Sequence, residues 1–416
     1  MTDKPLRILW QSNAPHCPTG YGVQANQILP RMMKHDKVDD VAIFAYWGVQ
    51  GGIAKWPIGN GNKRVTVYPA MYDLWGNDVI NKHVNAFDAN LVITLMDIWV
   101  LRPDYGDGFT WCPYMPVDTL TLPEAFLPRL KNAYLPLTYS RHAEALLNEQ
   151  GIENVYVPHG VNTKVFRPKR NQKAAKRMLG FEDDCYLVGM VAANKSNPPR
   201  KGFPEAFEAF KALHDAHPEA RMYVHTTSTP HMGGPDLEAM ARHYGLSGLV
   251  RFTQDYYAFL GLDDSTLAEL YNAFDVLLLP TMGEGFGIPI IEAQACGTPV
   301  IVTDATACPE LVGVGWKVPW DHKVWVPTGS WQVYANAAAT TEALREAYQS
   351  GKTAAMQKQA AEFAHDYDWD VVWNNHWSPL LARLGDELTP RKYQLIAEEA
   401  EDGQRAAREV PALTGP

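Results

Sequence analysis

Long hydrophobic runs are missing from this sequence. No apolar stretch approaches the roughly 20 residues that cross a bilayer, so no integral membrane segment is expected. The opening residues, MTDKPLRILW, lead directly into an apolar strand and lack the features of a secretory signal, and a cytoplasmic location is expected. Cysteine is scarce: Cys17, Cys112, Cys185, Cys296 and Cys308 are scattered, odd in number and without metal-ligand spacing. That pattern suits a reducing setting. Basic excess is also lacking. The net charge of -10 argues against a surface that binds nucleic acid throughout, leaving only a local basic patch. No internal repeat or low-complexity segment stands out. What remains is an ordinary globular composition, 46% hydrophobic, over 416 residues, long enough for two domains that each bury a core.

The chemistry is concentrated in residues 283–303, GEGFGIPIIEAQACGTPVIVT. The apolar run before it, DVLLLP at 275–280, reads as a buried parallel strand. A glycine-rich turn follows, then a short amphipathic helix carrying Ile290, Ile291, Ala293 and Ala295. Gly297-Thr298-Pro299 stops that helix, and a second apolar strand begins at Val300. The glycine turn lies where the helix starts, and a helix N-terminus offers unpaired N–H groups and a positive dipole end to a phosphate. Glu284 on the turn and Glu292 in the helix can both face a ligand whose phosphates rest there. Carboxylates accept hydrogen bonds well from sugar hydroxyls. Phosphate and sugar together point to a nucleotide sugar.

The pattern Glu284-x7-Glu292, with Gly285-Phe286-Gly287 between and Ala293-x-Ala295-x-Gly297-x-Pro299-Val300 after, resembles the donor signature of retaining glycosyltransferases of the GT-B fold, nearest to family four. The resemblance implies an α/β protein of two Rossmann-like domains facing a central cleft, with a C-terminal helix crossing back to the first. Residues 1–165 would be the acceptor domain, joined by a crossover near 366–385, and 166–365 the donor domain. The charged, alanine-rich segment 386–416 is expected to be mobile. In this scheme Glu292 holds the ribose hydroxyls and Glu284 those of the donor sugar. The turn at Gly285, with the amides of Phe286, Gly287 and Ile288, receives the phosphates. Lys201-Gly202 matches the family's cationic element and Arg200 adjoins it, whereas Asn194 or Lys195 stands where an arginine is usual. The loop with Gln254, Asp255 and Tyr256 would receive the nucleobase. Fixed Lys and Arg donors stabilise a departing diphosphate without a metal. No metal and no cofactor beyond the donor, a UDP-sugar by preference, are therefore expected. The resemblance further implies retention of configuration. No carboxylate pair suited to double displacement is identifiable, so a front-face course is expected, with the leaving phosphate oxygen deprotonating the acceptor.

In the first domain a strand over residues 6–10 precedes a loop that ends in Gly20, Tyr21 and Gly22, with a helix expected from Val23 to about Lys34. Gly20-x-Gly22-x-x-Ala25 formally matches the dinucleotide fingerprint, and an NAD-dependent oxidoreductase must be weighed. About ten residues separate the expected strand from the first glycine, and Asp39 and Asp40 precede the next strand instead of closing it. The loop is more similar to the glycine loop with which GT-B enzymes approach the donor from the opposite domain. Asp97 follows the strand at 91–95, where family members often carry a histidine that contacts the donor sugar. Asp118 is a second candidate, and capping a helix is the alternative for both. Residues 155–168 resemble the interdomain segment. Seven basic residues between Lys164 and Arg177 form either a solvated helix face or a cationic rim for a polyanionic acceptor. Asp368-x-Asp370 reads as a cap with surface charge, Glu310 as a support for its own loop, and a helix-rich tail as following it. Ser12-Asn13-Ala14-Pro15 with Thr19-Gly20-Tyr21-Gly22 is similar to glycosyltransferases of tailed phages, some of which modify hydroxymethylated pyrimidines in DNA. A glycan, lipid or small-molecule acceptor stays open beside DNA, as does a GT-B-fold epimerase or a silent sugar-nucleotide binder. The oligomeric state is not addressed by the sequence.

Overall fold

A computed structural model describes residues 6–388 apart from 59, 60, 62 and 170, so the segment expected to be mobile lies, from residue 389 on, outside the described residues. Eight strands build the first sheet: β1 (Leu6–Asn13), β2 (Val38–Trp47), β3 (Ala54–Ile58), β4 (Lys63–Pro69), β5 (Leu91–Leu95), β6 (Trp111–Met115), β7 (Leu137–Thr138) and β8 (Val155–Tyr156). Their order is β3-β4-β2-β1-β5-β6-β7-β8. All neighbours run parallel except the edge pair β3/β4. Six strands build the second: β9 (Tyr186–Val191), β10 (Ala220–His225), β11 (Val250–Phe252), β12 (Val276–Leu279), β13 (Val300–Thr303) and β14 (Gly315–Val318), all parallel in the order β11-β10-β9-β12-β13-β14. The central strands are apolar on both faces (LVITL, VLLL and VIVT are wholly buried), as helix-covered parallel strands must be. The strand order reverses at β1/β5 in one sheet and at β9/β12 in the other. Ligands of open α/β sheets bind where the order reverses, beyond the carboxyl ends of the strands. Those two edges face each other.

Three local expectations are corrected. β1 continues to Asn13, and the next helix, Gly20–Met32, starts three residues before Val23, because the Thr19 side chain accepts from the Gly22 amide and caps it there. β7 is confined to Leu137–Thr138, since Pro136 has no N–H to give the ladder. β3 was not foreseen. The stretch after Glu310 is not helix-rich at first: β14 is followed by a hairpin of β15 (Trp320–Val326) and β16 (Ser330–Ala335). This hairpin reaches the first domain, with the amides of Leu120 and Ala125 donating to the carbonyls of Trp331 (2.8 Å) and Thr328 (3.1 Å). The final helix, Ser378–Leu388, crosses back to the first sheet, and Trp377 packs in the core against Trp10 and Tyr114 at 6.0 and 5.2 Å between ring centres.

Candidate donor site in the interdomain cleft

The turn after β12 is shaped by what lies against it. Gly287 sits at φ 107° immediately before the helix Ile288–Ala295, a conformation that side chains rarely adopt. A side chain at Gly283 would collide with the carbonyl of Asp118, so the first domain's 116–118 loop closes directly over the turn. The loop after β9 joins from the other side. The Met282 amide (2.8 Å) and the Thr281 hydroxyl (3.1 Å) both donate to the Arg200 carbonyl, and Gly202, at φ 70°, starts the helix Phe203–Ala216. Two helix N-termini and two cations thus meet at the mouth of the second sheet.

The charges there are tightly matched. Lys201 Nζ is paired with Glu284, both largely buried. Burial alone would raise the Glu284 carboxyl, but Lys201 and Arg200 outweigh it and hold the group below the usual carboxylate range. Lys201 is depressed by burial and by Arg200, against the pull of Glu284. Arg200 Nη1 donates to the Gly283 carbonyl at 2.7 Å and to Asp118 Oδ2 at 3.0 Å, which ties the two domains across the cleft. Asp97 stands on the opposite wall. It does not cap the turn Ile98–Val100 that follows it. Burial, then the neighbouring Asp118, pushes its carboxyl up to about 6, and the Tyr21 hydroxyl donates to its Oδ2 at 3.4 Å. The structure therefore brings Glu284, Lys201, Arg200, Asp97 and Asp118 to one cleft.

The remaining candidates divide. Gly20 faces the second domain, with Ile288 Cδ1 3.4 Å from where a Cβ would stand. Glu292 is buried with one oxygen taking the Tyr271 hydroxyl at 2.7 Å, and burial raises its carboxyl to about 7. The Phe286 ring packs among His159, Tyr139 and Tyr367 in the seam between domains, leaving its backbone to the turn at Gly285. Gln254, Asp255 and Tyr256 start the helix Asp255–Leu260, none of whose residues is buried, and Gly261 behind it abuts Pro18 of the first domain. Two placements need correction. Gly22 lies inside the first domain, where a side chain would strike the Cys17 carbonyl, so its open side is filled by its own loop. Asn194 is buried, and its amide donates to the carbonyls of Thr227 and Pro235 at 3.1 and 2.9 Å. It fastens its own loop, and Lys195 is the residue in the field of Arg200 and Asp97.

Sequence reasoning missed how Thr306, at φ 55°, receives the Glu284 amide at 3.0 Å; no local signal marks it. Glu310 does not brace its own loop. Its two oxygens accept from the Arg141 and His142 amides (2.9 and 3.1 Å) and so cap a helix of the other domain. Asp368 does act as a cap, accepting from the Asp370 amide at 2.8 Å, and Asp370 pairs with Arg31 and Lys164. Among the described residues, no group of three or more His, Cys, Asp or Glu side chains is arranged to hold a metal ion, and no helix is long and apolar enough to cross a membrane.

With this geometry in view, comparison with known proteins is informative. Residues 186–348 match the family described as glycosyl transferases group 1. Over that segment the chain is similar to group 1 glycosyl transferases. Over 242 residues it is 31% identical to the D-inositol 3-phosphate glycosyltransferase of Streptomyces avermitilis, a match covering 56% of this chain and 46% of that one. The chain thus spans about half the length of that relative. Its fold is shared with a sucrose-phosphate synthase of Thermosynechococcus elongatus (TM-score 0.68, 17% identity, 91% of this chain and 99% of the other). It is also shared with Anabaena HepE, solved with UDP and glucose (TM-score 0.63, 17% identity, 91% and 100%). The fold is GT-B, with two Rossmann-like domains about a cleft.

Proposed function

We propose that this chain is a retaining, metal-independent glycosyltransferase that moves a hexosyl group from a UDP-sugar to an acceptor hydroxyl. The observation that carries this reading is the Glu284–Lys201 pair beside Arg200 at the start of the helix Ile288–Ala295. In it the donor diphosphate lies on the turn at Gly285–Ile288, Lys201 and Arg200 neutralise it, Glu284 takes the sugar's hydroxyls and Glu292 the ribose. The acceptor hydroxyl attacks C1 on the face the diphosphate leaves. The C1–O phosphate bond breaks, the new glycosidic bond forms, and the acceptor's proton passes to the leaving phosphate oxygen. Cations and dipole fixed in a water-poor cleft stabilise the charge on that diphosphate. The UDP found with HepE supports uridine as the base.

DNA as acceptor loses part of its support. Of the basic stretch from 164 to 177, Lys164, Lys169, Lys176 and Arg177 are paired with Asp370, Glu269, Asp275 and Asp183. A rim that attracts phosphates needs free cations. A cytoplasmic, carbohydrate-directed enzyme is the reading we retain.

Thermal shift and hydrolysis assays with UDP-, GDP- and ADP-glucose, and with NAD as control, test the proposal. A ligand that binds only the folded state raises its melting temperature. A selective shift with UDP-glucose, and loss of about 100-fold or more in turnover for Lys201→Ala, are expected. A shift with NAD alone would return the first loop to the dinucleotide reading.

A further inference from the structure

The cleft has two walls of opposite character, and the contrast bears on what the enzyme glycosylates. The second domain contributes the cations Arg200 and Lys201, both directed to the donor's diphosphate in the reading above, and Lys195 beside them. On the first domain, six loops leave β1, β2, β4, β5, β6 and β7 toward the cleft, at residues 14–19, 48–53, 70–79, 96–110, 116–123 and 139–140. Together they hold one Lys or Arg, Arg102, against Asp73, Asp78, Asp97, Asp104, Asp107 and Asp118. Arg102 is committed: its Nη1 donates to the Asn77 carbonyl at 3.1 Å and its Nε lies 3.1 Å from Asp104. His16 gives its Nε2 to the Gly48 carbonyl. Among the described residues of these six loops, no free cation is left to meet a phosphate or carboxylate.

The same edge carries large aromatic side chains turned outward. Trp47 closes β2 and is half exposed, Trp99 follows Asp97 after β5 and is almost as open, and Tyr72 after β4 is nearly wholly exposed. Since β1 alone separates β2 from β5, Trp47 stands about two strand spacings, roughly 10 Å, from the strand end that carries Asp97 and Trp99. Flat apolar rings on the edge that also carries a carboxylate and the Tyr21 hydroxyl suit a ring that is apolar on its face and hydroxylated on its edge.

We infer that the acceptor is a neutral carbohydrate or cyclitol, carrying no phosphate or carboxylate, that stacks on the first-domain aromatics and presents a hydroxyl to the region of Asp97. An anionic acceptor would meet Asp97 and Asp118, whose neighbouring cation Arg200 is already bonded to Asp118 and to the Gly283 carbonyl. The inference rests on the transferase reading and deepens it.

The test measures nucleotide release from the donor identified above, with matched acceptors: methyl α-glucoside against glucose 6-phosphate, myo-inositol against inositol 1-phosphate, and hydroxymethylated DNA as a polyanion. At least one neutral member should accelerate release several-fold over hydrolysis, while its phosphorylated partner and the DNA should not. Trp99→Ala should raise the KM for that neutral acceptor several-fold, more than it lowers kcat. Acceleration by a phosphorylated member or by DNA at or above the neutral level, or by no neutral member, would overturn the inference while donor hydrolysis left the transferase reading standing. Absence of hydrolysis and of transfer with every nucleotide sugar would overturn both.

Discussion

Glu292 joins two opposing demands on one carboxyl. Burial lifts it from an ordinary 4.5 to about 7, so the folded chain holds this proton more tightly than the unfolded chain does. Its contribution to stability is complete below about 4.5 and is lost as the pH rises through about 7, at most about 3 kcal/mol. Ribose hydroxyls that donate to the group favour its ionised form, so donor affinity should climb as the pH approaches about 7 and then level. Calorimetric titration of donor from about pH 5 to pH 8 should show that rise in the wild type and a flat, weaker profile in Glu292→Gln; parallel profiles would remove the ribose role. Lys176 teaches the opposite lesson about reading charge. By composition it belongs to a basic stretch that reads as solvated face or binding rim. In the fold it is buried, with Nζ 2.7 Å from both Asp275 Oδ2 and the Cys185 carbonyl. Removing one partner strands the other charge, and Lys176→Met should cost about 3–5 kcal/mol in a denaturant melt. Its partner lies 99 residues away, and no spacing rule reaches that far. Glu284 and Lys201 were legible because each stands in a motif with its own glycines. Asn194 and Gly22 were misplaced because a motif position says which residue is present, not which way its side chain points.

Elements were legible where apolar runs are continuous and failed where tertiary contacts decide. β5 was located to the residue, and β12 and β13 to within one or two, since strands buried on both faces need no partner-specific pattern. The β15/β16 hairpin was absorbed into a helix-rich tail. Yet WDHKVWV and SWQVYA flank Pro327-Thr328-Gly329, a turn that the sequence offered. The hairpin also accepts from three first-domain amides, those of Leu120, Glu124 and Ala125, a contact that was invisible locally. Gly329 is the hinge of that contact. It sits at φ 84°, its carbonyl accepts from the Glu124 amide at 3.2 Å, and a Cβ would stand 3.0 Å from that of Glu124. Gly329→Val should therefore destabilise by about 1–3 kcal/mol and speed proteolysis at the interdomain segment. Ser330→Ala, which removes the hydroxyl contact to Thr121, should cost about 1 kcal/mol. Equal, negligible effects would show that the hairpin does not tie the domains.

At the scale of the whole molecule the two sheets do not form separate bodies. One apolar cluster runs from Leu6 and Trp10 in the first domain through Val161 and Phe166 to Leu187 and Val276 in the second, and takes in Trp369 and Trp377 of the crossover. The crossover is a structural member of the first domain supplied from the far end of the chain. The Val161 amide donates to the Tyr367 carbonyl (2.8 Å), and the Trp369 amide returns to the Val161 carbonyl (3.1 Å). Trp369, Val372, Trp377, Leu380, Leu381, Leu384 and Leu388 are all buried. The two-domain plan and the crossing helix were legible through resemblance, but their mutual dependence was not, because nothing in residues 369–388 announces that Trp10 waits for them. A chain ending at Ala364 would strip this cover and leave the core face of β1 open to water, at about 25 cal/mol for each Å² of apolar surface exposed. It should be recovered mainly as aggregate, and any soluble fraction should melt without a cooperative transition or a donor-induced shift. A soluble 1–364 chain that melted cooperatively at the full chain's temperature would mean that the first domain completes its core without the crossover, and that the contact between Trp10 and Trp377 adds nothing to its stability.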